Sequence, residues 1–260
     1  MELVDTHCHL DAEVFDADRA EVLQRCHAVG VTRQVIPGYI GERWNDLLQV
    51  CQRHRGLYPA LGLHPVYTDQ HQPVHLQNLE RILADEQLVA IGEVGLDYYI
   101  DDPDADAQQS YFEAQIAIAN TAGLPLLLHI RKANDEVWST LRRLGFPHGG
   151  IAHAFNGSVE QAQRLVDLGF AIGIGGTLTY DRAKRVRRVA AELPLSALVL
   201  ETDSPDIPMA GHNRDVRNSP EYLPEVLDAL AEVRSESREE LAIATTANAQ
   251  RIFNDRLAHA

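Results

Sequence analysis

Cysteine, basic charge and long apolar runs are all scarce in this chain of 260 residues. The three cysteines, Cys8, Cys26 and Cys51, are odd in number and lack C-x-x-C spacing. That excludes a disulfide framework and a zinc ribbon and suits a reducing compartment; each is read as a small buried apolar residue. No apolar run approaches the roughly 18 residues of a membrane span, so no membrane partner is expected. The opening MELVDTHCHLD carries acids where a signal peptide needs a basic start, and a cytoplasmic location is expected. Lys and Arg number 23 against 38 Asp and Glu, a formal net charge of −15. A broad electrostatic surface for long duplex DNA is thereby excluded, because Lys and Arg contacts to phosphate dominate such affinity. A short strand end at a locally positive site is not. Repeats, low-complexity tracts and Pro/Ser-rich linkers are also missing, and a single domain over residues 1–260 is the expectation.

What is present is the make-up of an ordinary globule, 45% hydrophobic and 23% charged. Eight short β-rich runs alternate with helical periodicity: ELVDTHC, RQVIPG, YPALGLH, LVAIGEVGL, LPLLLHI, GGIAHAF, FAIGIGG and ALVLETD. Between them, Val22, Leu23 and Cys26 form one 3.6-period stripe, Leu76, Leu79, Ile82 and Leu83 a second, and Phe112, Ile116 and Ala119 a third. Gly123 and Pro125 stop the third helix, and Ser158 with Gln161 reads as a capping box. Eight β/α units in 260 residues, about 32 each, predict an α/β fold, a single (β/α)8 TIM barrel. A doubly wound open sheet is the alternative.

Chemistry on a TIM barrel sits at the C-terminal ends of the strands, and ionisable residues fall there. If Leu3 to Leu10 is a strand, His7 and His9 in VDTHCHLD share a face with Cα atoms roughly 6.6 Å apart and can converge on one metal ion. Strand four ends with Glu93, strand five with His129, strand six with His153, and strand eight with Glu201 and Asp203 at the same i, i+2 spacing. An imidazole or carboxylate left unpaired at the end of a buried apolar run is costly. A ring of four histidines and three carboxylates at one barrel mouth therefore points to a metal site at the C-terminal mouth. His27, His54, His71, His75, His148 and His259 fall in presumed helices or loops and are read as surface residues.

With those motifs in place, the chain resembles the TatD family of metal-dependent deoxyribonucleases, in the amidohydrolase-like group of TIM barrels. DTHCHLD, LGLHP, AIGEVGLDYY, LLLHIRKANDEV, HAFNGSVEQA, IGIGG, ETDSPDIP, NSPEYL and TANAQRIF carry the resemblance, in the family's order from Asp5 to Phe253. It implies metal ligation by His7, His9, Glu93, His129, His153 and Asp203, with Glu93 bridging two ions and Glu201 as ligand or supporting base. Ala154 and Asn156 stand where many relatives carry Cys and Ser. VAIGEVGL offers no lysine for carboxylation, so Glu93 must bridge as a plain carboxylate. Two ions about 3.5 to 4 Å apart can share a hydroxide and stabilise both the attacking and leaving oxygens. Asp203 is then the candidate to orient or deprotonate the attacking water, with Glu201 in support. The expected cofactor is two divalent cations: Zn²⁺ or Mn²⁺ on grounds of ligand softness, Mg²⁺ by the resemblance.

Phosphate recognition is expected just past the strand ends. Arg131 can fork onto a phosphate or pair with Asp135. His64 ends strand three and is read as lining the pocket without reaching the metals. Tyr180, Arg182 and Lys184 follow strand seven and are candidates to hold the next phosphate or stack on a base. The five basic residues of DRAKRVRR, 181–188, serve that end or form a solvated helix face. Gly173, Gly175 and Gly176 are read as a tight turn rather than a phosphate loop, since no G-x-G-x-x-G follows. The resemblance implies a 3′-to-5′ exodeoxyribonuclease acting on single-stranded or frayed DNA, with that DNA or a short nucleic acid as partner and no obligate protein partner. The alternative is a metal-dependent ester or small-molecule hydrolase such as a D-aminoacyl-tRNA deacylase. A scaffold with a structural metal is disfavoured, because such sites are closed and four-coordinate.

Overall fold

In the computed structural model, which describes residues 2–213, 215–254 and 256–258, the apolar runs form eight strands, each pairing in parallel with the next from β1 to β8. The strands are β1 Leu3–Asp5, β2 Val31–Pro37, β3 Leu57–Leu61, β4 Ala90–Asp97, β5 Leu126–Arg131, β6 Gly150–Ala152, β7 Phe170–Ile174 and β8 Leu198–Leu200. Helices α1 Arg19–Ala28, α2 Trp44–Arg53, α3 Pro73–Asp85, α4 Ala105–Ala122, α5 Asn134–Leu144, α6 Val159–Val166 and α7 Lys184–Glu192 return the chain between strands. Helices α8 Leu223–Val233 and α9 Arg238–Ile252 follow β8. The result is the nearly closed α/β barrel that the alternation predicts. No helix among the described residues is long and apolar enough to cross a membrane.

Local signals act as read. The Ser158 side chain accepts from the Gln161 N–H and Gln161 answers to the Ser158 N–H, opening α6. Gly123 takes a left-handed φ of 64° and ends α4. Of the stripe on α3 only Leu79 is fully buried, with Leu76, Ile82 and Leu83 half-buried against the core. Cys8, Cys26 and Cys51 are buried and free.

The pleat sorts side chains into two layers. On β5, Leu126, Leu128 and Ile130 pack under the helices, while Leu127 turns into the barrel. Val4, Val35, Tyr58, Ala60, Ala90, Leu127, Ile151, Ala171 and Val199 form an apolar floor near the strand starts. Ala249, Ile252, Phe253 and Leu257, from α9 and the turn beyond it, seal it from below, and the Tyr58 hydroxyl donates to the Leu257 carbonyl at 2.5 Å.

The seam between β8 and β1 is closed by hydrogen bonds. The Thr6 N–H and hydroxyl both donate to the Leu200 carbonyl at 3.0 Å. The Thr202 N–H and hydroxyl donate to the two carboxylate oxygens of Asp5 at 3.0 and 2.6 Å. Farther up, the Asp203 N–H donates to His7 and the His9 N–H to Ser204, at 2.9 and 2.7 Å.

Two strands depart from simple alternation, and both departures bear on the site. β1 ends at Asp5, and His7 and His9 lie beyond it after a bend at Thr6 and His7. The continuous strand expected from Leu3 to Leu10 is therefore corrected. Val4 faces the floor while Cys8 and Leu10 face the helices, so the bend slips the alternation by one and carries both histidines inward. In β4 the register shifts between Ile91 and Val94. Ile91, Val94 and Leu96 all point to the helix layer, leaving Glu93 and Asp97 on the inner face.

Candidate metal centre

Glu93 stands at the middle of the mouth with a different set of partners on each oxygen. Its Oε2 lies 3.3 Å from His7 Nε2 and 3.8 Å from His9 Nε2. Its Oε1 lies 2.9 Å from His129 Nδ1, 2.9 Å from His153 Nε2 and 3.2 Å from His64 Nε2. Asp203 Oδ1 completes the first side, 3.6 Å from both His7 and His9. Donor atoms of His7, His153 and Asp203, of His7, His9 and Glu93, and of His64, Glu93 and His129 each fall within 4.8 Å of one another. Of the residues predicted as metal ligands, His9, Glu93, His129, His153 and Asp203 line one cavity of about 300 Å³ together with Tyr39, Tyr67 and Arg131, and His7 is buried against them.

This donor set fits divalent cations. His7 Nε2 and both Nδ1 atoms of His7 and His9 are buried and have no hydrogen-bond partner among the described residues, which proteins seldom tolerate without a ligand. Mixed imidazole and carboxylate donors suit Zn²⁺, Mn²⁺ or Mg²⁺ in order of decreasing softness. Burial, reinforced by His153, pushes His7 well below its usual pKa. Burial would raise Glu93, but the imidazoles of His64, His153 and His7 hold it well below the carboxylate range. Burial would lower His153, but Glu93 and Asp203 hold it up at about 10. Without cations, the proton held on His153 balances the carboxylates of Glu93 and Asp203 beside it.

Two hydrogen bonds fix tautomers. His64 Nδ1 accepts the Val66 N–H at 3.1 Å, so the neutral ring carries its proton on Nε2 and presents a donor, not a lone pair, to the centre. His129 Nε2 lies 2.8 Å from Asp97 Oδ2, which turns its Nδ1 toward Glu93. Gly95, between Glu93 and Asp97, has a φ of 144°, and a Cβ there would lie 2.0 Å from the His129 carbonyl; β4 and β5 could not approach around His129 with any other residue.

Of the two places read for Glu201, ligand or supporting base, it takes the one beneath the cluster. Its Oε1 accepts the Ala154 N–H at 2.5 Å and sits 3.8 Å from His153 Nδ1, and its Oε2 has no partner among the described residues. A Cβ on Gly173 would lie 2.1 Å from that Oε2, so the glycine is an inner-face vacancy that admits the carboxylate rather than a tight turn. Burial pushes Glu201 up to about 7. Asp203, one pleat higher, is raised by burial, with His153 and His9 opposing, and holds a left-handed φ of 55°. The structure brings Asp203 into the ligand cluster and leaves Glu201 beneath it.

Arg131 reaches the cavity but not Asp135, which pairs with Arg164 at 3.0 Å. Its guanidinium lies over the Tyr99 ring, 4.2 Å from the centroid, and 3.8 Å from Asp97. Tyr180, Arg182 and Lys184 line a separate cavity of about 740 Å³ with Asn156, Arg185 and Ile207. The basic run divides: Arg182, Lys184 and Arg185 face that cavity, while Arg187 and Arg188 pair with Glu232 and Glu192. His71 and His75 are buried, contrary to the surface reading, because His71 Nε2 meets the His64 carbonyl at 2.8 Å and His75 packs on Trp44. His259 lies outside the described residues. Sequence reasoning missed Asp97, although Glu93, Gly95 and Asp97 repeat at the strand period within AIGEVGLDYY.

A family model for TatD-related DNases matches residues 4–254. YjjV of Escherichia coli K12, described as a metal-dependent hydrolase, is 40% identical over 253 residues, 96% of this chain and 97% of its own. YabD of Bacillus subtilis strain 168, described likewise, is 36% identical over 255 residues, 96% and 98% of the two chains. The crystal structure of YjjV matches with a TM-score of 0.94 over 97% of this chain and 98% of that one. An organophosphorus hydrolase from Deinococcus radiodurans shares the fold alone, at a TM-score of 0.67 and 12% identity, covering 96% of this chain and 92% of its own.

Proposed function

The chain belongs to the TatD family of metal-dependent hydrolases, and from that premise we propose that it is a 3′-to-5′ exodeoxyribonuclease that hydrolyses phosphodiester bonds at single-stranded or frayed DNA ends with two divalent cations. The observation that carries this reading is the divided carboxylate of Glu93, with one oxygen facing His7 and His9 and the other facing His129 and His153. Cations bound on the two sides would supply Lewis acidity to the phosphoryl group and lower the pKa of water.

The chain's own residues then divide the work. Asp203, raised by burial and placed beside His7 and His9, orients the attacking water and accepts its proton. His64 donates a hydrogen bond from Nε2–H to a phosphoryl oxygen, and Arg131, which lines the same cavity, forks onto that group. A mouth cavity of about 300 Å³ is at the small end of ligand pockets and suits one terminal nucleotide. The cavity bearing Tyr180, Arg182 and Lys184 takes the next phosphate and base. The net charge of −15 disfavours long duplex and supports action at ends.

The test sets 3′-labelled and 5′-labelled single-stranded DNA, the matching duplex, and D-aminoacyl-tRNA against the enzyme loaded with Mg²⁺, Mn²⁺ or Zn²⁺. A ladder that shortens from the 3′ end of the single strand is expected. Deacylation of the tRNA with no DNA ladder refutes the nuclease reading.

A further inference from the structure

Asp97 and Gln108 are buried polar residues for which the chemistry above has no use. Asp97 is wholly buried; its Oδ1 accepts the Tyr99 N–H at 2.9 Å and the Ile100 N–H at 3.3 Å, while its Oδ2 meets His129 Nε2. Gln108 reaches out of α4 and grips the Asp97 backbone at both ends: the Asp97 N–H donates to Oε1 at 2.8 Å and Nε2 donates to the Asp97 carbonyl at 2.9 Å. Seven residues on, and so on the same helix face, Gln115 does the same for Leu63, at 2.7 and 3.2 Å. Leu63 directly precedes His64. Two amides on one face of α4 therefore pin the backbone from which Asp97 and His64 reach the Oε1 side of Glu93.

The other side has no such backing. The Nδ1 atoms of His7 and His9 lack partners among the described residues, whereas His129 is held at both ring nitrogens. A carboxylate on the far nitrogen of a ligating histidine fixes its tautomer and raises its basicity, and its loss typically weakens metal affinity by about 10- to 100-fold.

Resting on the two-cation reading above, we propose that Asp97, braced by Gln108, is a positioning residue that sets the occupancy of one of the two cation positions, the one on the His129 side, and leaves the His7/His9 side to its own ligands. The cation-free protein is titrated with Mn²⁺ in a calorimeter, and the spin-coupled Mn²⁺ pair is followed by electron paramagnetic resonance. The wild type is expected to bind two ions and show the coupled signal. Asp97→Asn keeps the side-chain shape but has one acceptor oxygen where Asp97 uses two, and no charge; it is expected to bind one ion as the wild type does, to bind the second about 10- to 100-fold more weakly, and to lose the coupled signal at stoichiometric Mn²⁺. Gln108→Met leaves the carboxylate in place and is expected to move the second affinity alone in the same direction, so it carries the test should Asp97→Asn fold poorly. Two ions bound at wild-type affinity by both variants overturn the positioning role and leave the two-cation reading standing. Equal weakening of both ions overturns it as well. A wild-type chain that binds fewer than two ions overturns the two-cation reading and, with it, the role of Asp97.

Discussion

The floor and the mouth of the barrel are built from the same strands and could hardly differ more. On β5, Leu127 belongs to the floor and His129, two residues later on the same face, to the mouth. At β8 the step runs from Val199 in the floor to Glu201 and Asp203 just past the strand's end. The floor buries aliphatic side chains against Phe253 and Leu257, and its one phenol is satisfied by a carbonyl. The mouth buries imidazoles and carboxylates with orphaned nitrogens and left-handed backbone at Ala154, Asp203 and Ile207. Such φ values cost of order 1–3 kcal/mol each in non-glycine residues. One pleat thus supplies stability at its start and chemistry at its end, and the floor offsets what the mouth costs.

Four measurements break or sharpen that contrast, in order of expected size. Phe253→Ala removes a fully buried ring from the seal under the floor and is expected to lower stability by about 3–5 kcal/mol. Urea unfolding would report it, while the metal content of the folded fraction stays unchanged; a loss below about 1 kcal/mol would place the stability elsewhere. Asp203→Asn should do the reverse. Single-turnover cleavage falls by about 10²-fold or more, the scale of a lost general base, with the melting temperature unchanged or raised. Cleavage within about threefold of wild type, only ~0.65 kcal/mol in the barrier, would transfer the role to Glu201.

Chelation comes third. A cation at ten times its Kd stabilises the folded chain by about 1.4 kcal/mol, so removing it should lower the melting temperature. His153 sits at about 10 in the cation-free fold, above the ordinary histidine value of 6.5. Its contribution to the cation-free fold is therefore complete below the unfolded value and is lost as pH rises through about 10. Cation binding must displace that proton, and its affinity grows over the same interval. The gap between loaded and chelated melting temperatures should widen from about pH 6.5 upward, and a gap that narrows contradicts the linkage. The smallest effect is expected at Arg131→Ala, whose side chain is half exposed and hence screened: a fall of about fivefold in kcat/KM on single-stranded DNA, about 1 kcal/mol, with metal content unaltered.

The residues of the mouth were legible because a ligand that ends a buried strand breaks an apolar run, and that break is visible in LLLHIR, GIAHAF and LVLETDSP. The same logic gave the number and direction of the strands. It failed where the pleat slips. Nothing in VDTHCHLD announces the bend after Asp5, and the reading placed His7 and His9 on a strand that had already ended. Depth it left open, with Glu201 as ligand or supporting base; the missing side chain of Gly173 on the neighbouring strand lets Glu201 sit below the cluster. Asp97 was overlooked because an acid at a strand end, opening DYY, looks like the start of a loop. His71 and His75 became buried through contacts with residues far from any motif, which local periodicity does not register.

The seam has a bearing on when the protein becomes an enzyme as it is made. Thr6 and Leu200, whose hydrogen bonds close the barrel, are 194 residues apart, so the contact that brings β1 beside β8 is long-range and forms late. A nascent chain extended only as far as Leu200 already holds His7, His9, Glu93, His129 and His153, yet it has neither Asp203 nor α9 beneath the floor. Synthesis from the N-terminus lays down five residues of the cluster first and Asp203 last. The metal centre is therefore complete only once the segment beyond β8 has been made and α9 can dock beneath the floor.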